Sequence, residues 1–198
     1  MTTGSRILIF ALIISLGACA TEISKVERKT VDVEGAYTVD PQITWSEFSG
    51  TSTSSNGLIW TVDGLFLQRL DLFGAIKDGE ALFEPSGAEE EKLPVFRVDM
   101  RESDVQEFVV DTLAQQGFVD IEAINLRPTE IGGRKGFRFD LIMATGSGLE
   151  MKGLAAGAIV NEELNLVLYT GTRLHYFAAR QTAVEGIIKS MTFKGGAA

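Results

Sequence analysis

From Ala36 onward, short runs of alternating hydrophobic and polar residues are separated by turn residues, a pattern that predicts β-strands joined by hairpins. In the segment LIWTVDGLFLQRLDLF, the pair Asp63-Gly64 separates two apolar runs. Asp-Gly suits the positive φ angles of a two-residue type I′ turn, so we expect a hairpin in which Trp60 lies opposite Leu67. The side chains of this hairpin are apolar on both faces. A sheet of this kind must be covered on both faces.

Four further strands are predicted between residues 118 and 170. Turn residues divide this stretch, and they lie at Gly132-Gly133, Gly146-Ser147-Gly148 and Asn161-Glu162-Glu163. Connections this short join antiparallel neighbours, so the pattern predicts a four-stranded antiparallel meander.

The third strand of this meander carries the small residues Gly153, Ala155 and Gly157 on one face. They either let a helix approach the sheet closely or line a groove that admits a ligand. Close packing is the preferred interpretation, because glycine within a strand usually marks a close approach of neighbouring groups.

Two segments have the three-to-four spacing of amphipathic helices. The first begins at Ser103, which has capping-box spacing with Gln106, and ends before Gly117. The second covers residues 174–191, and Gly186 within it predicts a tight contact with the sheet. Together these elements predict an α+β fold, an antiparallel β-sheet flanked by helices.

Two features that could bind ligands have simpler structural explanations. Trp45 and Trp60 could form a stacking surface, but large aromatic residues on strands are more often part of the core. The run Glu89–Glu91 follows a glycine in a polar loop and lacks the alternating spacing of calcium loops, so we interpret it as a solvated charge run.

The amino terminus has the pattern of an export signal. A short polar segment with one basic residue, Arg6, precedes an apolar run from Ile7 to Leu16, too short to span a bilayer. The only cysteine of the chain, Cys19, follows this run directly. An apolar cysteine in an uncleaved helix is the alternative, and the short run followed by a polar segment argues against it.

The sequence Leu16-Gly17-Ala18-Cys19 resembles the lipobox of bacterial lipoproteins. This resemblance implies cleavage after Ala18, a diacylglyceryl group on the Cys19 thiol, usually a further acyl chain such as palmitate on the new amino terminus, and membrane attachment through these lipids. Ala20 stands where an Asp would imply retention in the inner membrane, so the resemblance implies the outer membrane, facing the periplasm. We therefore divide the chain into a signal peptide (1–18), a lipidated cysteine with a flexible tether (19–35) and a single globular α+β domain (36–198).

The charge of the chain restricts its partners. The net charge is −9, and removal of residues 1–18 takes away Arg6 and no acidic residue, which gives −10. Nucleic acids and anionic lipid headgroups need a basic surface, so the composition argues against both as partners.

Few residues offer chemistry. His175 is the single histidine and Cys19 is expected to carry lipid, so we expect neither a histidine metal cluster nor thiol catalysis, and no cofactor is predicted. His175 with Arg173 and Tyr176 is the one constellation to test, although an exposed histidine near a helix start is the preferred interpretation. Pairs of carboxylates suited to hydrolysis remain open, since their separation depends on the fold.

The order of elements resembles the PsbP-like fold, which is shared by extrinsic photosystem proteins, a Ran-binding nuclear import factor and bacterial lipoproteins. Over residues 36–194 the resemblance implies an α/β/α sandwich used as a non-enzymatic binding or assembly module. One partner could then be another envelope protein. The alternatives are an envelope hydrolase that uses carboxylates or His175 near the polar loop 49–56, and a carrier of a small apolar ligand in a groove lined by Gly153, Ala155 and Gly157.

Overall fold

The computed structural model describes residues 22–49, 57–84 and 93–195. Within them the chain forms eleven strands and two helices: β1 (Glu22–Val26), β2 (Val31–Val33), β3 (Tyr37–Val39), β4 (Trp45–Ser49), β5 (Gly57–Thr61), β6 (Gln68–Ile76), α1 (Glu102–Gln115), β7 (Phe118–Ile131), β8 (Arg134–Thr145), β9 (Glu150–Val160), β10 (Glu163–Thr172), α2 (Tyr176–Ser190) and β11 (Thr192–Phe193). The predicted signal peptide, Cys19 and the acidic run Glu89–Glu91 lie outside the described residues.

Most strands belong to one antiparallel sheet. Its eight strands have the order β1-β4-β5-β6-β10-β9-β8-β7, and a smaller sheet has the order β11-β3-β2. Strands β7, β8, β9 and β10 are consecutive neighbours in antiparallel pairing, which confirms the predicted meander. An α+β fold built on an antiparallel sheet with helices is therefore confirmed.

The central strands of the large sheet, β6, β9 and β10, are buried on both faces, as the apolar pattern predicts. On one face a first core forms between the sheet, α2 and the small sheet; its members include Tyr37, Leu70, Tyr169, Val184 and Ile187. On the other face a second core forms between the sheet, α1 and the segment after β6; its members include Phe73, Phe96, Phe108, Phe139 and Leu168. The apolar stripes predicted on the two helices face these cores.

The predicted tether is wrong for the residues that the structure describes. Strand β1 pairs with β4 from Glu22, opposite Ser49, to Val26, opposite Trp45. Strand β2 follows and pairs with β3. The hydrophobic pattern does not reveal β1 because it is an edge strand whose residues before Val26 are exposed, so backbone hydrogen bonds hold it rather than apolar burial.

The predicted two-residue hairpin is also wrong. Trp60 lies opposite Leu70 instead of Leu67, and six residues connect β5 to β6. The side chains at the two strand ends stabilise this longer connection. The Thr61 hydroxyl donates to the Gln68 carbonyl over 2.7 Å, and Gln68 Oε1 accepts from the backbone N–H that follows Thr61 over 2.9 Å.

Helix α1 begins earlier than the capping-box pattern predicts. Its N-cap residue is Arg101, and Asp104 Oδ2 accepts a hydrogen bond of 2.9 Å from the Arg101 backbone N–H. Ser103 therefore lies inside the first turn and does not cap the helix. The Asp104 carboxylate is favoured there because it both accepts from the N-cap and complements the helix dipole. Gly117, with φ of +87°, follows the end of the helix as predicted.

Gly186 of α2 makes its close contact with a connecting segment rather than with the sheet. A Cβ atom at this position would lie 2.7 Å from Cγ of Gln42. The prediction of tight packing is confirmed, but its predicted partner is wrong. The helix itself is shorter than residues 174–191, since it begins at Tyr176.

Candidate ligand-binding cavity

A cavity of about 600 Å³ opens on the second-core face of the large sheet. It lies at the end of the sheet where β6 begins and β10 ends. Its walls come from α1, from the β5–β6 and β8–β9 connections, and from strands β6, β7, β9 and β10. The cavity thus lies where several separate parts of the chain meet.

The end of α1 closes one side of the cavity. Leu113 and Gln116 line it from the last turn of the helix, and Phe118 lines it from the first residue of β7. The positive φ of Gly117 lets the chain reverse between them. Phe118 is half-buried and contributes an apolar part of the cavity wall.

An ion pair forms the polar part of the wall. Arg69 and Asp71 lie two residues apart on β6, so their side chains share one face of the sheet. Arg69 Nε lies 2.8 Å from both Asp71 carboxylate oxygens, and Nη2 lies 2.6 Å from Oδ1. The Arg69 guanidinium carbon lies 5.1 Å from the ring centroid of Phe83, which places the cation against an aromatic ring.

The Arg69–Asp71 ion pair is unusual because its carboxylate is buried. The Asp71 side chain is 3% exposed and the Arg69 side chain 20%. Burial raises the pKa of Asp71, and the neighbouring Arg69 charge and hydrogen bonds lower it in part. The ion pair with Arg69 offsets part of the cost of burying the Asp71 carboxylate.

The rim of the cavity carries exposed apolar side chains. Phe66 lies in the β5–β6 connection with 93% of its surface exposed, and Leu149 at the start of β9 is 44% exposed. Thr145 and Ser147 add hydroxyl groups at the same rim, with their oxygens 2.9 Å apart. The entrance is therefore apolar with a few polar groups.

The small residues of β9 do not line a groove. Ala155 is fully buried, a Cβ on Gly153 would lie 3.0 Å from Leu141, and one on Gly157 would lie 3.2 Å from Phe137. Large side chains of neighbouring strands fill the space above them. Close packing, the preferred interpretation, is thus confirmed, with strand side chains rather than a helix as the partner, and the alternative of a ligand groove at these positions is wrong.

Of the three residues predicted to form a group around His175, only Tyr176 contacts its ring in the structure. His175 is exposed at the N-cap of α2, and its ring centroid lies 5.0 Å from that of Tyr176. Arg173 instead pairs with Glu150, with Nη1 and Oε1 3.4 Å apart. None of these three residues lines the cavity.

The two tryptophans belong to the first core, as predicted. Trp45 is 1% exposed and Trp60 is fully buried, and their indole nitrogens donate to the Pro41 carbonyl and to Glu47. They offer no surface for stacking a ligand.

Arg69 and Asp71 were not among the residues predicted from the sequence to form a site. A signal was present, because LQRLDLFGAI places opposite charges two residues apart inside an otherwise apolar strand. Charges in a strand that is covered on both faces must be paired, which marks them as a candidate site.

The residues that the structure describes contain neither a metal-binding cluster nor a membrane-spanning helix. No group of three or more His, Cys, Asp or Glu side chains in residues 22–49, 57–84 and 93–195 is arranged to hold a metal ion. In the same residues, neither helix has the length and apolar character to cross a membrane. Most of the polar loop 49–56, and all of Glu89–Glu91, lie outside this part of the chain.

Comparison with known proteins identifies the fold. No protein-family model and no curated protein matches the chain. The solution structure of cyanobacterial PsbP (CyanoP) from Synechocystis sp. PCC 6803 is similar, with a TM-score of 0.52 and 15% sequence identity over 89% of this chain and 95% of that one. The PsbP-like fold predicted from the element order is confirmed, and the likeness shows the fold alone.

Proposed function

We propose that this chain is a lipid-anchored envelope protein that acts as a non-enzymatic binding module and takes a small, largely apolar ligand in the cavity. The lipobox at Leu16 to Cys19 supports the anchor, and Ala20 favours the outer membrane, facing the periplasm. The sheet and its two cores supply a rigid frame around the ligand. We also propose that the fold is an α/β/α sandwich, in which α2 covers one face of the large sheet and α1 covers the other.

The cavity is the observation that carries the binding role. Its volume of about 600 Å³ and its mainly apolar walls, with a few polar groups on one side, are typical of sites for small molecules. Leu113, Met151 and Leu168 contribute to the apolar walls, and the Arg69–Asp71 pair contributes the polar side. This location replaces the alternative groove on β9, where side chains of neighbouring strands fill the space.

The alternative of a hydrolase receives no support from the geometry of this cavity. Arg69 holds both oxygens of Asp71 through hydrogen bonds, so this carboxylate is engaged rather than positioned to activate water. His175 lies on the surface outside the cavity wall.

Binding can be tested with N-phenyl-1-naphthylamine, whose fluorescence rises in apolar surroundings. We expect the chain to enhance this fluorescence saturably. The exposed rim residue allows a variant that should fold normally: Phe66→Ser should weaken binding about tenfold, because a bound probe loses one aromatic contact. Leu174→Ser is the matched control, since Leu174 is 95% exposed but does not line the cavity.

The outcomes decide the proposal. Saturable enhancement that Phe66→Ser weakens and Leu174→Ser leaves unchanged supports it. A folded wild-type chain that causes no enhancement, or an equal effect of the two variants, overturns the assignment of the cavity as the binding site.

The anchor needs a separate experiment. We expect metabolic labelling with palmitate to mark the wild-type chain and to leave Cys19→Ser unmarked and uncleaved. An unlabelled wild-type chain, or a Cys19→Ser variant that matures and localises like the wild type, would contradict the anchor and leave the binding test standing.

A further inference from the structure

We infer that the cavity selects an uncharged amphiphile, a molecule with an apolar chain or ring and a hydroxyl or carbonyl oxygen that accepts a hydrogen bond from Arg69. This inference rests on the proposed function and specifies the chemical class of its ligand. The Arg69–Asp71 pair, together with the apolar walls, carries the argument.

Charge balance is the first step. The Arg69 and Asp71 side chains neutralise each other within the wall, and both oxygens of Asp71 already accept hydrogen bonds from Arg69. A ligand with a net charge would bring an uncompensated charge into an apolar cavity, which is costly. An anion would have to compete with Asp71, and a cation would meet a carboxylate that is already paired.

The remaining donors are the second step. A guanidinium has five N–H groups, and the described hydrogen bonds to Asp71 leave from Nε and Nη2. Nη1 takes no part in these bonds. Because the Arg69 side chain lines the cavity and is 20% exposed, whereas Asp71 is 3% exposed, an entering polar group meets donors rather than acceptors.

The apolar part of the ligand follows from the other walls. Phe83 lies under the guanidinium, and Leu113, Phe118, Met151 and Leu168 continue the apolar surface from the ion pair towards the rim. Burial of the apolar part of the ligand against these side chains supplies the main driving force for binding. The polar oxygen then fixes which end of the molecule enters first.

Three compounds with the same tail test this inference. We expect 1-decanol to displace N-phenyl-1-naphthylamine from the wild-type chain at a concentration at least about tenfold lower than decanoate or decylamine at neutral pH. The identical tails make the headgroup charge the variable. Added salt should leave displacement by decanol unchanged and should weaken any binding of decylamine to the acidic surface, which separates surface binding from binding in the cavity.

Removal of the counterion should change the preference. In Asp71→Asn the Arg69 cation loses its carboxylate partner, so decanoate should overtake decanol. Asp78→Asn is the matched control, because Asp78 also pairs with an arginine, Arg97 at 3.2 Å, but is 54% exposed and outside the cavity. The control should keep the wild-type order of the three compounds.

Each result has one meaning. If N-phenyl-1-naphthylamine and all three compounds fail to bind, the proposed function fails. If the probe binds but decanoate or decylamine displaces it as well as decanol does, the binding module stands and the inferred ligand class is overturned. The wild-type order decides this without any variant, so an unfolded Asp71→Asn protein leaves the test intact.

Discussion

The guanidinium of Arg138 on β8 forms a two-point ion pair with the carboxylate of Glu185 on α2. Arg138 Nη1 lies 2.6 Å from Glu185 Oε2, and Nη2 donates to Oε1. The two side chains are 18% and 26% exposed, so much of the pair is shielded from water. This contact fixes the C-terminal half of α2 against the large sheet, next to the first core.

Replacement of one partner should destabilise the fold. In Glu185→Gln the shape is kept, but the half-buried Arg138 loses its counterion, so we expect the free energy of unfolding to fall by about 1–2 kcal/mol. Urea unfolding followed by circular dichroism measures this. Glu27→Gln is the control, because the Glu27–Lys29 pair is 57% and 83% exposed and should contribute nothing measurable. Equal losses in both variants would show that the pair on α2 has no special role.

The buried carboxylate of Asp71 should give stability a specific pH dependence. Burial raises its pKa in the folded chain above the unfolded value, so the folded state binds this proton more tightly. The associated stability is fully present below the unfolded pKa and is lost as pH rises through the folded pKa. Relative to Asp71→Asn, the wild type should therefore gain stability as the pH is lowered through the folded pKa of Asp71 towards its unfolded value of about 4. A difference that is constant over this range would contradict the raised pKa.

Local signals explain why the meander could be predicted. Its turns need positive φ angles, and the residues that adopt them stand at the predicted places: Gly132 at +55°, Gly133 at +73° and Asn161 at +54°. Glycine and asparagine tolerate this conformation, so the positions of these turns can be predicted from the residue types alone. Alternation is clear in β8, where Phe137, Phe139, Leu141 and Met143 are buried and the residues between them are half-buried.

The cavity and β1 depend on distant parts of the chain, so the sequence alone could not predict them. Val26 is the one buried residue of β1, and its partner Trp45 lies in β4. The ion pair on β6 becomes a cavity wall only because Phe83 and the end of α1 pack beside it. Such juxtapositions follow from the fold and leave no periodic signal.

The glycines of β9 offer a test of close packing. A Cβ on Gly157 would lie 2.5 Å from the backbone oxygen of Asn165 on β10, an atom that cannot move without shifting the strand. We expect Gly157→Ala to lower the free energy of unfolding by about 1–3 kcal/mol. Gly146→Ala is the control, since its Cβ would meet its nearest neighbour at 3.7 Å and its φ is not positive. If Gly157→Ala is as stable as this control, the packing argument for β9 is wrong.

Strand order determines which edge of the sheet lies near the proposed anchor. Cys19 precedes Glu22, the first residue of β1, by three residues, a reach of about 10 Å. Strand β1 is one edge of the large sheet and β7 is the other. Seven strand spacings separate these edges, roughly 30 Å for a twisted sheet. A chain anchored through Cys19 should therefore hold its β1 edge close to the bilayer and its β7 edge away from it.

Energy transfer to labelled lipid headgroups can measure this orientation. Since the one native cysteine would carry the lipid, a single introduced cysteine gives a unique site for a donor dye. Lys25→Cys on β1 and Glu130→Cys on β7 are both exposed. With the lipidated chain in vesicles, we expect stronger transfer from position 25 than from position 130, because the short connection limits the distance of β1 from the membrane. Equal transfer from both positions would mean that β1 separates from β4 and extends the connection, so that the body of the protein tumbles freely above the lipid.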